Sequence, residues 1–243
     1  MNALGSRILD HLAVVEAERR GRIAQSGLPE AVAALKAYQQ ARFARMHADL
    51  LVDRRFGPAA NFFLAELYGP QDFTQRDAQF TRIVPALVRL FPEDIVTTVE
   101  ALAAVHALSE RLDTTMARHL HGAAPVRARY VAAWQATGEP EARKRQLELV
   151  MIVGRALDRH TRSRLLRASL KAMRAPARAA GMGDLQEFLE NGFEAFTAMG
   201  GAREFLATIA QRETALADRL FDPRAPADAA GELAPDDPLA RLP

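Results

Sequence analysis

Almost every segment of this chain repeats its apolar residues at intervals of three and four, and none sustains the apolar–polar alternation of a half-buried strand. Side chains spaced that way share one face of a helix, so the chain is expected to be all-α. Its abundance of Ala, Leu and Arg, all good helix formers, agrees.

The first helix is expected over about 4–25, with Ile8, Leu12, Val15 and Ile23 turned inward. Ser26, Gly27 and Pro29 break the chain, and Pro29 suits the first turn of a second helix over about 30–52, with Val32, Leu35, Phe43, Met46 and Leu50 on its stripe. After a short aromatic helix and a Gly69-Pro70 turn, Asp72 and Gln75 read as a capping box. The helix they open carries Phe80, Ile83, Val84, Leu87 and Val88, and Pro85 inside it is expected to bend it. A long helix follows over about 94–121, then a short one over 126–136 with Tyr130 and Trp134, then one from near Glu141 past His160. Asp184 and Glu187 form a second capping box before Leu185, Phe188, Leu189, Phe196 and Met199, and the last helix carries Phe205, Leu206, Ile209 and Leu216. Residues 221–243, rich in Pro, Ala and Asp and without periodicity, are expected to be disordered. No fixed repeat and no Gly/Ser linker divides the helices, so residues 1–220 read as one bundle-like domain. The alternative makes 1–52 a peripheral hairpin or a dimer interface, so a homo-oligomer is open.

Residues 61–69 read N-F-F-L-A-E-L-Y-G. Burial alone accounts for Phe62, Phe63, Leu64, Leu67 and Tyr68, which cover one side of two helical turns; the functional alternative gives the Tyr68 hydroxyl to a pocket. With D-F-T-Q-R-D at 72–77 and R-I-V-P at 82–85, the run resembles the bacterial FFLEELY-motif proteins, a functionally uncharacterised family. A second block, F-L-E-N-G-F-E-A-F-T-A-M-G-G at 188–201, extends the likeness over roughly 41–213. The resemblance implies a fold lineage and no activity. Ala65 stands where the family has the first of two glutamates, so Glu66 is the only carboxylate in the run.

Composition narrows the setting. With 243 residues, 49% apolar content and no cysteine, the chain can bury a large core without disulfides. No run approaches the roughly 18 to 20 apolar residues of a membrane span, and Asp10 and His11 interrupt the place of a secretory apolar segment, so a cytoplasmic address is expected. Basic residues number 32 and acidic residues 30, and all the basic ones except Lys36, Lys144 and Lys171 are arginine. Arginine suits bidentate phosphate contacts, but this near balance makes no case for nucleic acid.

Metal and nucleophile signatures are missing. No histidine has a carboxylate three residues before it, no two histidines are four apart, and His119 and His121 diverge on a helix, so neither a di-iron site nor a zincin is expected and the metal set is empty. Haem needs a single axial histidine, and His106 and His119 flank the apolar stripe of the 94–121 helix. A small-molecule or haem pocket bounded by Tyr68, Arg76, His106 and His119 is therefore the alternative functional reading; the plainer one has His106 bond Glu110 one turn on. The serines lie in no G-x-S-x-G or S-x-x-K arrangement, and G-M-G at 181–183 lacks the strand and lysine of a phosphate loop. No residue set nominates a reaction, and the catalytic set is left empty.

The leading signal is electrostatic. Between 143 and 178 lie Arg143, Lys144, Arg145, Arg155, Arg159, Arg162, Arg164, Arg167, Lys171, Arg174 and Arg178 against Glu148 and Asp158. Arg164, Arg167, Lys171, Arg174 and Arg178 fall within about 80° of a helical wheel opposite Leu166, Leu170 and Met173, with Pro176 expected to truncate or bend the helix. With Arg159 they form the expected binding surface, for a protein or other anionic partner first, with nucleic acid or an anionic membrane as weaker alternatives. The plain alternative is a solvated face covered by Asp222, Asp228, Glu232, Asp236 and Asp237 of the tail. Glu66, Arg76, Asp77 and Arg82 are expected to act as a salt-bridge clamp on the aromatic helix, or else as the floor of a pocket beneath Tyr68.

Overall fold

A computed structural model describes residues 2–66, 70–71, 73–120, 122, 124–229 and 231–243, except the side chains of Pro226 and Ala227. The described residues form an all-α domain: α1 Ala3–Ile23, α2 Leu28–Met46, α3 Ala48–Val52, α4 Gly57–Glu66, α5 Thr74–Leu90, α6 Glu93–His119, α7 Arg127–Thr137, α8 Pro140–His160, α9 Arg164–Ala172, α10 Arg174–Ala179, α11 Gly183–Met199, α12 Arg203–Phe221, α13 Ala225–Asp228, and a 3-10 turn, Pro238–Arg241.

Local chemistry sets the starts. The Asn2 side chain accepts the Gly5 N–H at 3.0 Å, satisfying a donor that α1 leaves open, and Ser163 does the same for Leu166 at the head of α9. Gly27, at φ 78°, turns the chain into α2, and Pro29 follows in its first turn. The Asp184/Glu187 box does not form. Met182 precedes α11, and Gln79 of α5 reaches across instead, accepting the Leu185 N–H at 2.9 Å and donating to Asp184 at 3.0 Å. Asp72 of the other expected box lies outside the described residues, and Phe73 stands at the head of α5, which runs through Pro85 to Leu90.

The core has two large parts. One joins Val32 and Leu35 of α2, Met116 of α6, Tyr130 and Trp134 of α7 and Leu216 and Leu220 of α12. The other is aromatic: Phe43, Phe56, Phe62, Phe63, Phe196 and Phe205 gather around Met199 and Ile209. Phe63 meets Phe205 edge-on at 5.5 Å, and Phe62 lies 5.7 Å from Phe188. The 61–69 and 188–201 blocks thus pack on each other. Gly192 permits it, because a Cβ there would sit 2.9 Å from the Phe62 ring.

Several expectations change. The second helix ends at Met46, and α3 follows after His47, whose fully buried ring pairs with Glu213. Ile23 is exposed rather than inward, because it lies in the last turn of α1. Within the 1–52 segment, Ile8 and Leu12 pack with Val84, Val96 and Ala103 of α5 and α6. In place of a disordered tail, the end of the chain docks on α2 and α12. Leu239 and Leu242 are fully buried, Tyr38 donates to the Pro243 carbonyl at 3.1 Å, and Asp237 caps the 3-10 turn. Two leucines anchoring an irregular segment have no helical period for a sequence reading to detect.

Candidate functional site

The expected basic surface is divided between structural and free cations. Arg143 is buried with its guanidinium 4.0 Å from the centre of the Trp134 ring, so it belongs to the core. Arg167 donates to the Thr161 carbonyl at 2.9 Å and the Thr197 hydroxyl at 3.4 Å, tying the α8–α9 turn to α11. Arg174 makes a forked contact with Glu190, at 3.0 and 2.8 Å. Arg162 pairs with Asp158 and Arg145 with Glu148. Arg159, Arg164, Lys171 and Arg178 are exposed and have no ion-pair partner among the described residues; Arg155 is alike. The expected helix is broken at Met173, between α9 and α10, three residues before Pro176.

The tail does not cover this face. Asp228 and Asp237 both bind Arg219 of α12, at 2.5 and 3.1 Å, and Asp222 pairs with Arg224.

Around the aromatic helix the Glu66–Arg76 pair forms at 2.9 Å, and the Arg76 guanidinium is stacked 3.8 Å from the Phe73 ring centre and 4.4 Å from that of Phe188. This holds the end of α4 to α5 and α11, as a clamp does. Arg82 does not join it, donating instead to the Ala180 carbonyl at 2.9 Å. An open groove of about 420 Å³ runs between α4 and α11 over Phe62, Ala65 and Ala195, rimmed by Asn61, Glu66 and Glu194. Neither His106 nor His119 lines it, and Tyr68 lies outside the described residues. His119 is exposed at the end of α6, about 20 Å along the helix from His106, so the two histidines do not share a pocket.

The constellation that sequence reading missed is a polar seam inside the bundle. His106, Glu110 and Asp113 lie one turn apart on α6; Arg19 and Arg22 on α1 and Lys36, Gln39 and Arg42 on α2 repeat the same spacing. Glu110, 2% exposed, meets Arg22 at 2.6 Å and Lys36 at 2.5 Å, with Arg19 at 3.8 Å. Arg22 also donates to the Glu110 carbonyl at 2.6 Å and to Thr114 at 2.8 Å. His106 pairs at 2.8 Å not with Glu110 but with Asp77 of α5, which also holds Arg19 at 2.8 Å. A second knot sets Glu213 of α12 against Arg42 and His47, each at 2.9 Å.

Burial would push the Glu110 carboxyl up, yet Lys36 and Arg22 outweigh it and hold it down at about 2. Asp77 is likewise lowered against its own burial, by His106 and then Arg19. Asp113 goes the other way: burial dominates and raises it, with Lys36 offsetting part and Gln39 donating at 3.1 Å. The seam's imidazole is oriented by Asp77, and its hydroxyl and amine, Thr114 and Lys36, are engaged with Arg22 and Glu110. Ser109 donates to the Val105 carbonyl at 2.7 Å and accepts from Gln146 at 2.7 Å. Its geometry is that of an internal ion-pair lock between α1, α2, α5 and α6. Among the described residues no cluster of histidine and carboxylate groups has metal-binding geometry.

These elements make one all-α domain, in which no described helix is long and apolar enough to cross a membrane. A family model described as a domain of unknown function (DUF8198) matches residues 18–227, and the chain belongs to that family. No curated protein and no solved structure shows significant similarity to it.

Proposed function

We propose that this protein is a non-catalytic helical binding module that engages a protein or other anionic partner through the cationic corner where α8 ends and α9 and α10 begin. One observation carries the reading: Arg159, Arg164, Lys171 and Arg178, which follow one another along α8, α9 and α10, all stay exposed without an ion-pair partner among the described residues. Unpaired cations on successive helices raise the local potential and favour anionic encounter. The pairing of Asp228 and Asp237 with Arg219 supports it, since those two tail carboxylates are engaged at α12 rather than at this corner. The non-catalytic part is supported by His106 being held by Asp77 and by the Ser109 hydroxyl being engaged with Val105. In the same reading the protein is cytoplasmic and of the bacterial FFLEELY-motif lineage, whose two sequence blocks correspond to the Phe62–Phe188 and Phe63–Phe196 contacts.

The test is binding of a fluorescent oligoglutamate peptide and of duplex DNA at 50 and 300 mM NaCl, for the natural chain and for R159E/R164E/K171E/R178E. For DNA, release of counterions from about four contacts predicts a loss of roughly 100-fold or more between the two salts. Binding that ignores salt, or that survives the charge reversal, would refute the proposal.

A further inference from the structure

Resting on that reading, we infer that the anionic partner of the cationic corner is a phospholipid surface, on which α9 lies with Leu165 facing the acyl layer. All nine residues of α9 stay at least partly exposed, although the helix is strongly two-faced in sequence. Leu166 and Leu170 are half-buried, and Arg167 and the Leu170 carbonyl tether the helix to Thr197 and Gln186 of α11. At 100° per residue, Leu165, Ala168 and Ala172 then fall within about 60° on the side away from α11, with Arg164 and Lys171 both along one edge of that arc and Ser169 on the other. Leu165 is 78% exposed and Met173, at the α9–α10 break, 46%.

Phosphate alone does not explain this face. Duplex DNA or an acidic peptide would neutralise Arg164, Lys171 and Arg178 but leave Leu165 with nothing to be buried in. A folded protein would have to offer a hollow matched to a protruding leucine. An anionic bilayer answers both features at once: headgroup phosphates meet the cations at the rim, and the boundary below accepts apolar side chains from a helix lying in its plane.

The full chain would be mixed with vesicles of phosphatidylcholine alone and of phosphatidylcholine with phosphatidylglycerol in equal parts, at 50 and 300 mM NaCl, and bound protein measured by flotation. Expected is binding to the anionic vesicles only, falling about 10-fold at the higher salt and at least as much in R164E/K171E. L165S should weaken it about 5-fold or more while leaving the melting curve unchanged, because that side chain already faces water. Equal binding to both vesicle types, or an L165S variant that floats like the natural chain, overturns the inference. If oligoglutamate or DNA binds with salt dependence and the vesicles do not, the lipid assignment falls and the cationic-corner reading stands. If none of them binds, both fall.

Discussion

Replacing Glu110 with glutamine preserves the outline of the side chain and removes the charge on which the internal lock is centred. Glu110 is 2% exposed and stands 2.6 Å from Arg22, 2.5 Å from Lys36 and 3.8 Å from Arg19. A carboxyl held at about 2 instead of its ordinary 4.5 contributes about 3 kcal/mol at neutral pH. Breaking one side of a buried pair costs about 3 to 5 kcal/mol, and the low end applies, since Arg22 keeps the Glu110 carbonyl and Thr114 and Lys36 can turn to water. For a chain of this size the melting temperature should fall by roughly 6 to 12 °C. The sign of the pH dependence follows from the lowered value. The stabilisation is complete above the ordinary 4.5 and is lost as pH falls through about 2, so the gap between natural and E110Q chains should close by more than half between pH 7 and pH 3. Urea unfolding at pH 7, 5 and 3 reads this directly. A gap under about 1 kcal/mol at pH 7, or one that does not shrink in acid, would refute the reasoning.

Three further substitutions probe the packing. G192A places a methyl group 2.9 Å from the Phe62 ring and should cost about 1 to 3 kcal/mol, seen as a lower urea midpoint; an unchanged midpoint would show that α4 can yield. R76A removes the Glu66 pair and the stacking on Phe73 and Phe188 and should lower stability by about 2 kcal/mol, and a melting curve that does not move would rule out the clamp. Deleting residues 238–243 exposes the sites of Leu239 and Leu242 and should cost about 3 to 6 kcal/mol, with stronger binding of an apolar dye; a truncated chain as stable as the full one would mean those leucines contribute nothing.

The helices were legible because local spacing alone reports which face is buried: Ile8, Leu12 and Val15 of α1 and Leu112 and Met116 of α6 are all core. The aromatic run was legible for the same reason, since Phe62 and Phe63 are large enough that burial outweighs any other use. The seam was not, because its pairs join Arg22 and Lys36 to a residue 88 and 74 positions away, and no local pattern encodes such a distance. Arg143 misled for a related reason: in the sequence it sits beside Lys144 and Arg145, yet the Trp134 ring draws it inward. Helix starts were mixed. Pro29 works within its own segment, whereas the head of α11 is served by Gln79 from a different helix.

The long reach of those pairs bears on how the chain is made. Arg22 and Lys36 leave the ribosome well before Glu110, and Arg42 precedes Glu213 by 171 residues, which at roughly 5 to 20 residues per second is about 9 to 34 seconds of synthesis. Through that interval the nascent N-terminal helices carry uncompensated cations on the very faces that later close inward. A bare charge resists burial, so those faces are expected to stay hydrated until Glu110 and Glu213 arrive.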